Sequence, residues 1–171
     1  MAKKYISAVA FFAATVCCVA QADKPQNKLS NDFLNFFIGN WSGDGEFANG
    51  KKISADVTFK ISLDSSWVTY EHTDRAPNKY KALSLWGIDG ANGQFVAYSF
   101  DNFRGHRTFA SDGWRDGKLI LTAHEFYPQR GLFFQHFIYE RLSDRSFKMT
   151  YEISKDGISW KLGDYLTFTK K

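Results

Sequence analysis

Cysteine is the first scarcity in this chain. Its two cysteines, Cys17 and Cys18, lie in an apolar run from Ile6 to Ala20 that follows Lys3 and Lys4 and ends in Ala20-Gln21-Ala22. A basic start, a short apolar run and a small-x-small end are the form of a secretory leader. We therefore expect residues 1–22 to be a signal peptide cut before Asp23, and the protein to be exported, periplasmic or extracellular. Both cysteines leave with it, which excludes a disulfide, a thiolate nucleophile and a cysteine-ligated metal from the mature chain. A lipid-anchored cysteine is the rival reading, but bulky Val16 stands where such signals place a small residue.

A second long apolar run is also missing. The leader is short for a membrane span, which needs about 20 apolar residues, and nothing comparable follows it, so no span is expected after cleavage. Excess charge of one sign is lacking as well. Removing Lys3 and Lys4 takes the 22 basic residues to 20 against 18 acidic ones, so the formal charge falls from +4 to +2. With no basic block to track a phosphate backbone, nucleic acid is not an expected partner.

Reaction signatures are absent too. There is no G-x-S-x-G elbow and no P-loop. Gly43-Asp44-Gly45-Glu46-Phe47-Ala48 fits the loose dinucleotide pattern, but that pattern needs a strand before it and a helix after it, and here the order is reversed. The four histidines are separated by 34, 18 and 12 residues, which leaves no local ligand pair. His124-Glu125 opens an H-E-x-x-H motif, but Pro128 stands where the second histidine belongs. No metal site is expected.

What the chain does have is aromatic residues, 18% of the total with 17 Phe, arranged largely at strand spacing. Ile53, Ala55, Val57, Phe59 and Ile61 alternate with polar residues across Lys52 to Ser62, and Phe147, Met149, Tyr151 and Ile153 do so across Ser146 to Ser154. Between them lie apolar runs near 66–73, 79–88, 94–101, 105–110, 118–127 and 131–142, punctuated by Asp-Gly and Asn-Gly turns. One helix is expected, capped by Ser30, Asn31 or Asp32, carrying Phe33, Leu34, Phe36 and Phe37, and ended by Gly39.

This is an all-β reading: about ten short strands in an antiparallel up-and-down barrel behind a short N-terminal helix. Closure is the simplest way for so long a meander to avoid two bare edges, with a two-sheet sandwich as the alternative. The domains expected are the leader, a flexible lead over 23–30 and a single barrel over 31–171. In Phe37-Ile38-Gly39-Asn40-Trp41-Ser42-Gly43-Asp44-Gly45-Glu46-Phe47, strand parity puts Trp41, Gly43, Gly45 and Phe47 on one face. The two inward glycines then either leave a void or permit the coiling a small barrel needs.

Gly39 to Gly45 has the G-x-W-x-G-x-G form that begins the barrel of nitrobindin-like proteins, and it contains the G-x-W of lipocalins. With Ser154-Lys155-Asp156-Gly157-Ile158-Ser159-Trp160, the chain over roughly 33–170 resembles a bacterial exported family of unknown function with a lipocalin-like, calycin-type barrel. The resemblance implies architecture more than activity. Nitrobindins bind haem through a histidine in their C-terminal part, so the resemblance raises haem as a cofactor; otherwise no cofactor is expected. The Ser154 to Trp160 stretch also resembles the Asp-box turn of sialidases, but a single copy reads as a hairpin.

The function expected is an exported, non-catalytic binding protein that holds a small apolar or amphipathic molecule in an aromatic-lined cavity. Candidate ligand contacts are Trp41, Tyr70, His72, Tyr98, Arg104, His106, His124 and His136. Arg104 and His106 share a parity that would let them hold an anionic head, or else form a solvated basic rim. The parity of Val68-Tyr70-His72 against Trp67-Thr69-Glu71 is ambiguous, which leaves Glu71 as an interior candidate beside Glu125. Two alternatives remain open: an isomerase or hydrolase using one of the histidines as base, and an interaction module. The latter rests on Gly131 to Arg141, which is apolar on both parities, so monomer and homodimer are both allowed.

Overall fold

The computed structural model describes residues 28–129 and 131–171; the expected leader and the first part of the polar lead lie outside the described residues. One helix precedes ten strands. Helix α1 (Asn31–Phe37) begins at Ser30, whose hydroxyl accepts from the Phe33 amide at 3.2 Å, and the chain leaves it through Gly39 at φ 130°, a left-side conformation that favours glycine.

The strands are β1 (Gly39–Phe47), β2 (Lys52–Ser62), β3 (Trp67–Asp74), β4 (Lys81–Ile88), β5 (Phe95–Asp101), β6 (His106–Ser111), β7 (Lys118–Tyr127), β8 (Gly131–Ser143), β9 (Ser146–Ser154) and β10 (Lys161–Lys170). Each pairs antiparallel with its sequence neighbour, and β1 pairs with β10 to close the barrel. Closure satisfies the backbone groups that a bare edge would leave open, which decides between barrel and sandwich. Among the described residues no helix is long and apolar enough to cross a membrane.

Alternation carries through as the spacing predicts. On β2, Ile53, Ala55, Val57 and Phe59 are buried, while Ile61 emerges where the strand leaves the barrel. The two inward glycines of β1 do different things. Phe168, opposite Gly43 on β10, fills the space beside it, so that a Cβ there would meet the ring at 2.5 Å. At Gly45 a Cβ would overlap the Tyr165 carbonyl and lie 2.7 Å from the Leu166 Cα. The void allowed by the sequence is therefore occupied, and Gly45 lets β1 and β10 approach at the seam.

Helix α1 plugs one end. Phe33, Phe36 and Phe37 are buried with Trp41, Phe59, Trp86 and Phe147, and Phe37 stands 5.0 Å from both Phe59 and Trp114. Asp32 accepts from the Trp114 indole and from Arg141, and Lys170 Nζ donates to the Phe36 carbonyl at 2.8 Å at the C-terminal end of the helix. The helix therefore caps the barrel and does not cover the second apolar face of β8. On that outer face His136 stacks on Trp160, and Phe134 lies against His124 and Gly157. The aromatic excess is spent mostly on this plugged end, so the open space lies toward the opposite end, where the β1–β2, β3–β4, β5–β6 and β9–β10 hairpins turn.

Candidate functional site

A cavity of about 390 Å³ runs inward from that hairpin end. Its deep wall is apolar, formed by Trp86, Ala97, Phe109, Leu121, Met149 and Leu166 with Tyr139. Its outer part is polar and aromatic, with Asp74, Asn78, Lys79, Tyr80, Phe103, Arg107, Tyr151 and Asp164. The gradient follows from position: inward residues near α1 must pack against the plug, whereas those near the mouth meet water.

Strand β3 settles its own ambiguous parity. Val68, Tyr70, His72 and Asp74 point inward, while Glu71 is exposed outside and pairs with Lys60 at 3.5 Å. Period two places Tyr70, His72 and Asp74 in a row, and they form a relay. Tyr70 Oη lies 3.0 Å from His72 Nδ1, and His72 Nε2 lies 2.8 Å from Asp74 Oδ1. The neutral tautomer with the proton on Nε2 satisfies both contacts: Nε2–H donates to the carboxylate and Nδ1 accepts from the phenol. All three side chains are buried, and burial, with the Tyr139 phenol as the next cause, holds the Tyr70 pKa well above its usual value. Tyr70 therefore stays a hydrogen-bond donor.

Across the mouth, Asp101 organises a second group. Its Oδ1 accepts from the amides of Phe103 and Gly105, each at 2.9 Å, and its Oδ2 accepts from Arg107 at 2.5 Å. Arg107 also donates to Gln135 Oε1 at 3.1 Å, and Gln135 Oε1 accepts from Tyr151 at 2.9 Å. The Arg107 charge is thus matched by Asp101, and its terminal nitrogens are committed.

Asp164 on β10 is different. It lines the cavity and has no hydrogen-bond partner among the described residues. Burial, and then the charge of Asp74, raise its pKa to about 7.

The sequence-derived contacts are distributed unevenly. Tyr70 and His72 line the cavity. Trp41 is fully buried beside α1, with Nε1 donating to the Phe37 carbonyl at 2.7 Å, and it does not reach the cavity. Tyr98 is on the outer face, 5.9 Å from Trp67. Arg104 is an exposed turn residue at φ 68°, and His106 is exposed because β6 turns Arg107, Phe109 and Ser111 inward. His124 is exposed, and His136 is half-buried against Trp160 at 3.4 Å between ring centres, with burial lowering its pKa and Glu152 opposing the effect.

No motif in the linear chain marks Asp74, Asp101, Arg107 or Asp164. Parity held the signal: Arg107 shares a face with Phe109, and Asp164 shares one with Leu166 and Phe168. Glu125 follows the inward parity of Leu121 and Ala123 and lies 3.5 Å from Gln135.

These positions also test the haem implied by the nitrobindin resemblance. Among the described residues, His72 alone of the histidines lines the cavity, with both ring nitrogens engaged, and His106, His124 and His136 lie outside it. The residues present do not fit a histidine-ligated haem. Among the described residues, no three His, Asp or Glu side chains converge to hold a metal ion.

The fold and cavity define a closed ten-stranded antiparallel barrel, plugged at one end and open at the other. The chain matches no family model and no curated protein. Among solved structures it is similar to the crystal structure of Rv2717c from M. tuberculosis, at a TM-score of 0.53 and 10% identity over 84% of this chain and 99% of that one. At that identity the likeness is one of fold.

Proposed function

We propose that this protein is an exported binding protein that takes one small apolar or amphipathic molecule into the barrel. The observation that carries the reading is the cavity itself: about 390 Å³ between a dry aromatic floor and a polar mouth, within the usual size of small-molecule sites. The lipocalin-like resemblance of the Gly39 to Gly45 stretch supports the same use of the barrel. Export rests on the leader sequence, and N-terminal sequencing of protein from the periplasm or medium tests it; a chain that still begins at Met1 removes it. Titration with a fluorescent apolar probe such as 1-anilinonaphthalene-8-sulfonate, with native mass spectrometry of the purified protein, tests binding. A single saturable site is expected, weakened when Ala97 is replaced by Phe to fill the floor. Absence of any saturable site removes the reading.

The Tyr70–His72–Asp74 relay favours a second reading, acid–base chemistry on the bound molecule. The free oxygen of Asp74 would take a proton from the ligand, with His72 holding the carboxylate in place. A carbonyl compound such as 4-phenyl-2-butanone would then exchange its α-hydrogens with D2O faster with the native protein than with His72→Gln. Equal rates remove this reading and leave simple binding.

A further inference from the structure

The hydrogen-bond inventory at the cavity's polar end selects among ligand heads. The donors there are only partly free: His72 uses both ring nitrogens, and the terminal nitrogens of Arg107 are engaged by Asp101, Tyr80 and Gln135, which leaves its buried Nε as the one unpartnered guanidinium nitrogen. The charged acceptors left without partners among the described residues are the Asp164 carboxyl and the second oxygen of Asp74, two carboxyl groups against the single Arg107 Nε–H. An independent observation comes from the facing pair on β4 and β5. Ser84 and Ser99 are only 4% and 8% exposed and line the cavity, yet neither hydroxyl has a hydrogen-bond partner among the described residues. Both hydroxyls face the cavity with hydrogen-bonding capacity that the described residues do not use, and that capacity is open to a molecule that enters.

Building on the small-molecule reading above, we propose that the ligand is an amphipathic amine. Its ammonium head sits at the Asp74 and Asp164 carboxyls, with Ser84 and Ser99 accepting along its path, and its apolar end enters the deep aromatic wall. An ammonium carries three donors and no acceptor, which complements a wall with spare acceptors. A carboxylate head would instead meet two acidic side chains with the nearby guanidinium already paired. The one further cation at the mouth, Lys79, is exposed and forms no ion pair among the described residues, so it leaves both carboxyls open. The raised pKa of Asp164 agrees with a carboxyl waiting for a counter-charge.

Calorimetry with three ligands that share a tail, 4-phenylbutylamine, 4-phenylbutanol and 4-phenylbutyrate, tests the proposal on the native protein. The amine is expected to bind at least about tenfold more tightly than the alcohol, with the carboxylate weakest, as charge-assisted hydrogen bonds predict. Asp164→Asn should reduce amine affinity about tenfold while leaving the alcohol nearly unchanged. Amine binding at about pH 7 should also release a proton from Asp164, read as a buffer-dependent enthalpy that the alcohol lacks. A carboxylate that binds as tightly as the amine, or a variant that weakens amine and alcohol equally, overturns the amine head while leaving the pocket intact. If none of the three displaces the fluorescent probe and the probe finds no site, the binding reading falls and the amine head with it.

Discussion

Asp164 offers a direct measurement of how dry the mouth of the barrel is. Its carboxyl is raised from 3.8 to about 7, first by burial and second by the charge of Asp74. In the unfolded chain the same group titrates near its ordinary value. The folded form therefore holds an extra proton between about pH 4 and pH 7, and stability is lost as pH rises through that window. At about 1.4 kcal/mol per pH unit, a rise of this size corresponds to at most about 4 kcal/mol. Because the cavity opens to water at the mouth, we expect about half of that, ~2 kcal/mol. Asp164→Asn keeps the shape and removes the charge. It is expected to be about 2 kcal/mol more stable than the native protein near pH 8 and equal to it near pH 4. Urea unfolding of both proteins across this range measures the difference, from which groups that titrate alike in both proteins cancel. A variant equally or less stable near pH 8, or a carboxyl that titrates near pH 4 by carbon NMR, refutes the argument.

Two further substitutions probe the seam and the plug. Gly45→Ala forces a methyl group onto the β10 backbone, which cannot rotate away, and is expected to cost about 3 kcal/mol in urea unfolding, whereas a change below about 0.5 kcal/mol contradicts the close approach at the seam. Trp41→Phe removes the donor to the buried Phe37 carbonyl and should cost about 1–3 kcal/mol beyond the lost packing, and unchanged thermal stability would show that water replaces the indole.

Strand content was legible because alternation is a local signal. Lys52 to Ser62 and Ser146 to Ser154 each show a wet and a dry face in the linear chain, and both become strands. The dry face holds at Ile53, Ala55, Val57, Phe59, Phe147 and Met149, whereas Thr150 and Ser154, on the expected wet face, are buried and Ile61 is exposed. The helix was legible for the same reason, since Ser30, the Phe stripe and Gly39 are neighbours in sequence. The site was less so. On β3 both parities carry apolar residues, and only the barrel's curvature decides that His72 and Asp74 face in while Glu71 faces out. Histidines attract attention by type, yet His106, His124 and His136 sit on outward positions. The residues that shape the mouth, Asp74, Asp101, Arg107 and Asp164, look in sequence like ordinary surface charges.

The sequence by itself determined an all-β chain of about ten strands with a short capped helix, because period, caps and turns are set by residues within a few positions of one another. It also carried the leader pattern and the lack of reaction motifs. Tertiary structure alone decided what the inward glycines are for, since Phe168 and the β10 backbone reach Gly43 and Gly45 across 125 and 121 residues of sequence. It likewise decided that the open space lies beside Asp164 and Asp74 and not beside Trp41, because only closure of the barrel brings β3 and β10 to line one cavity.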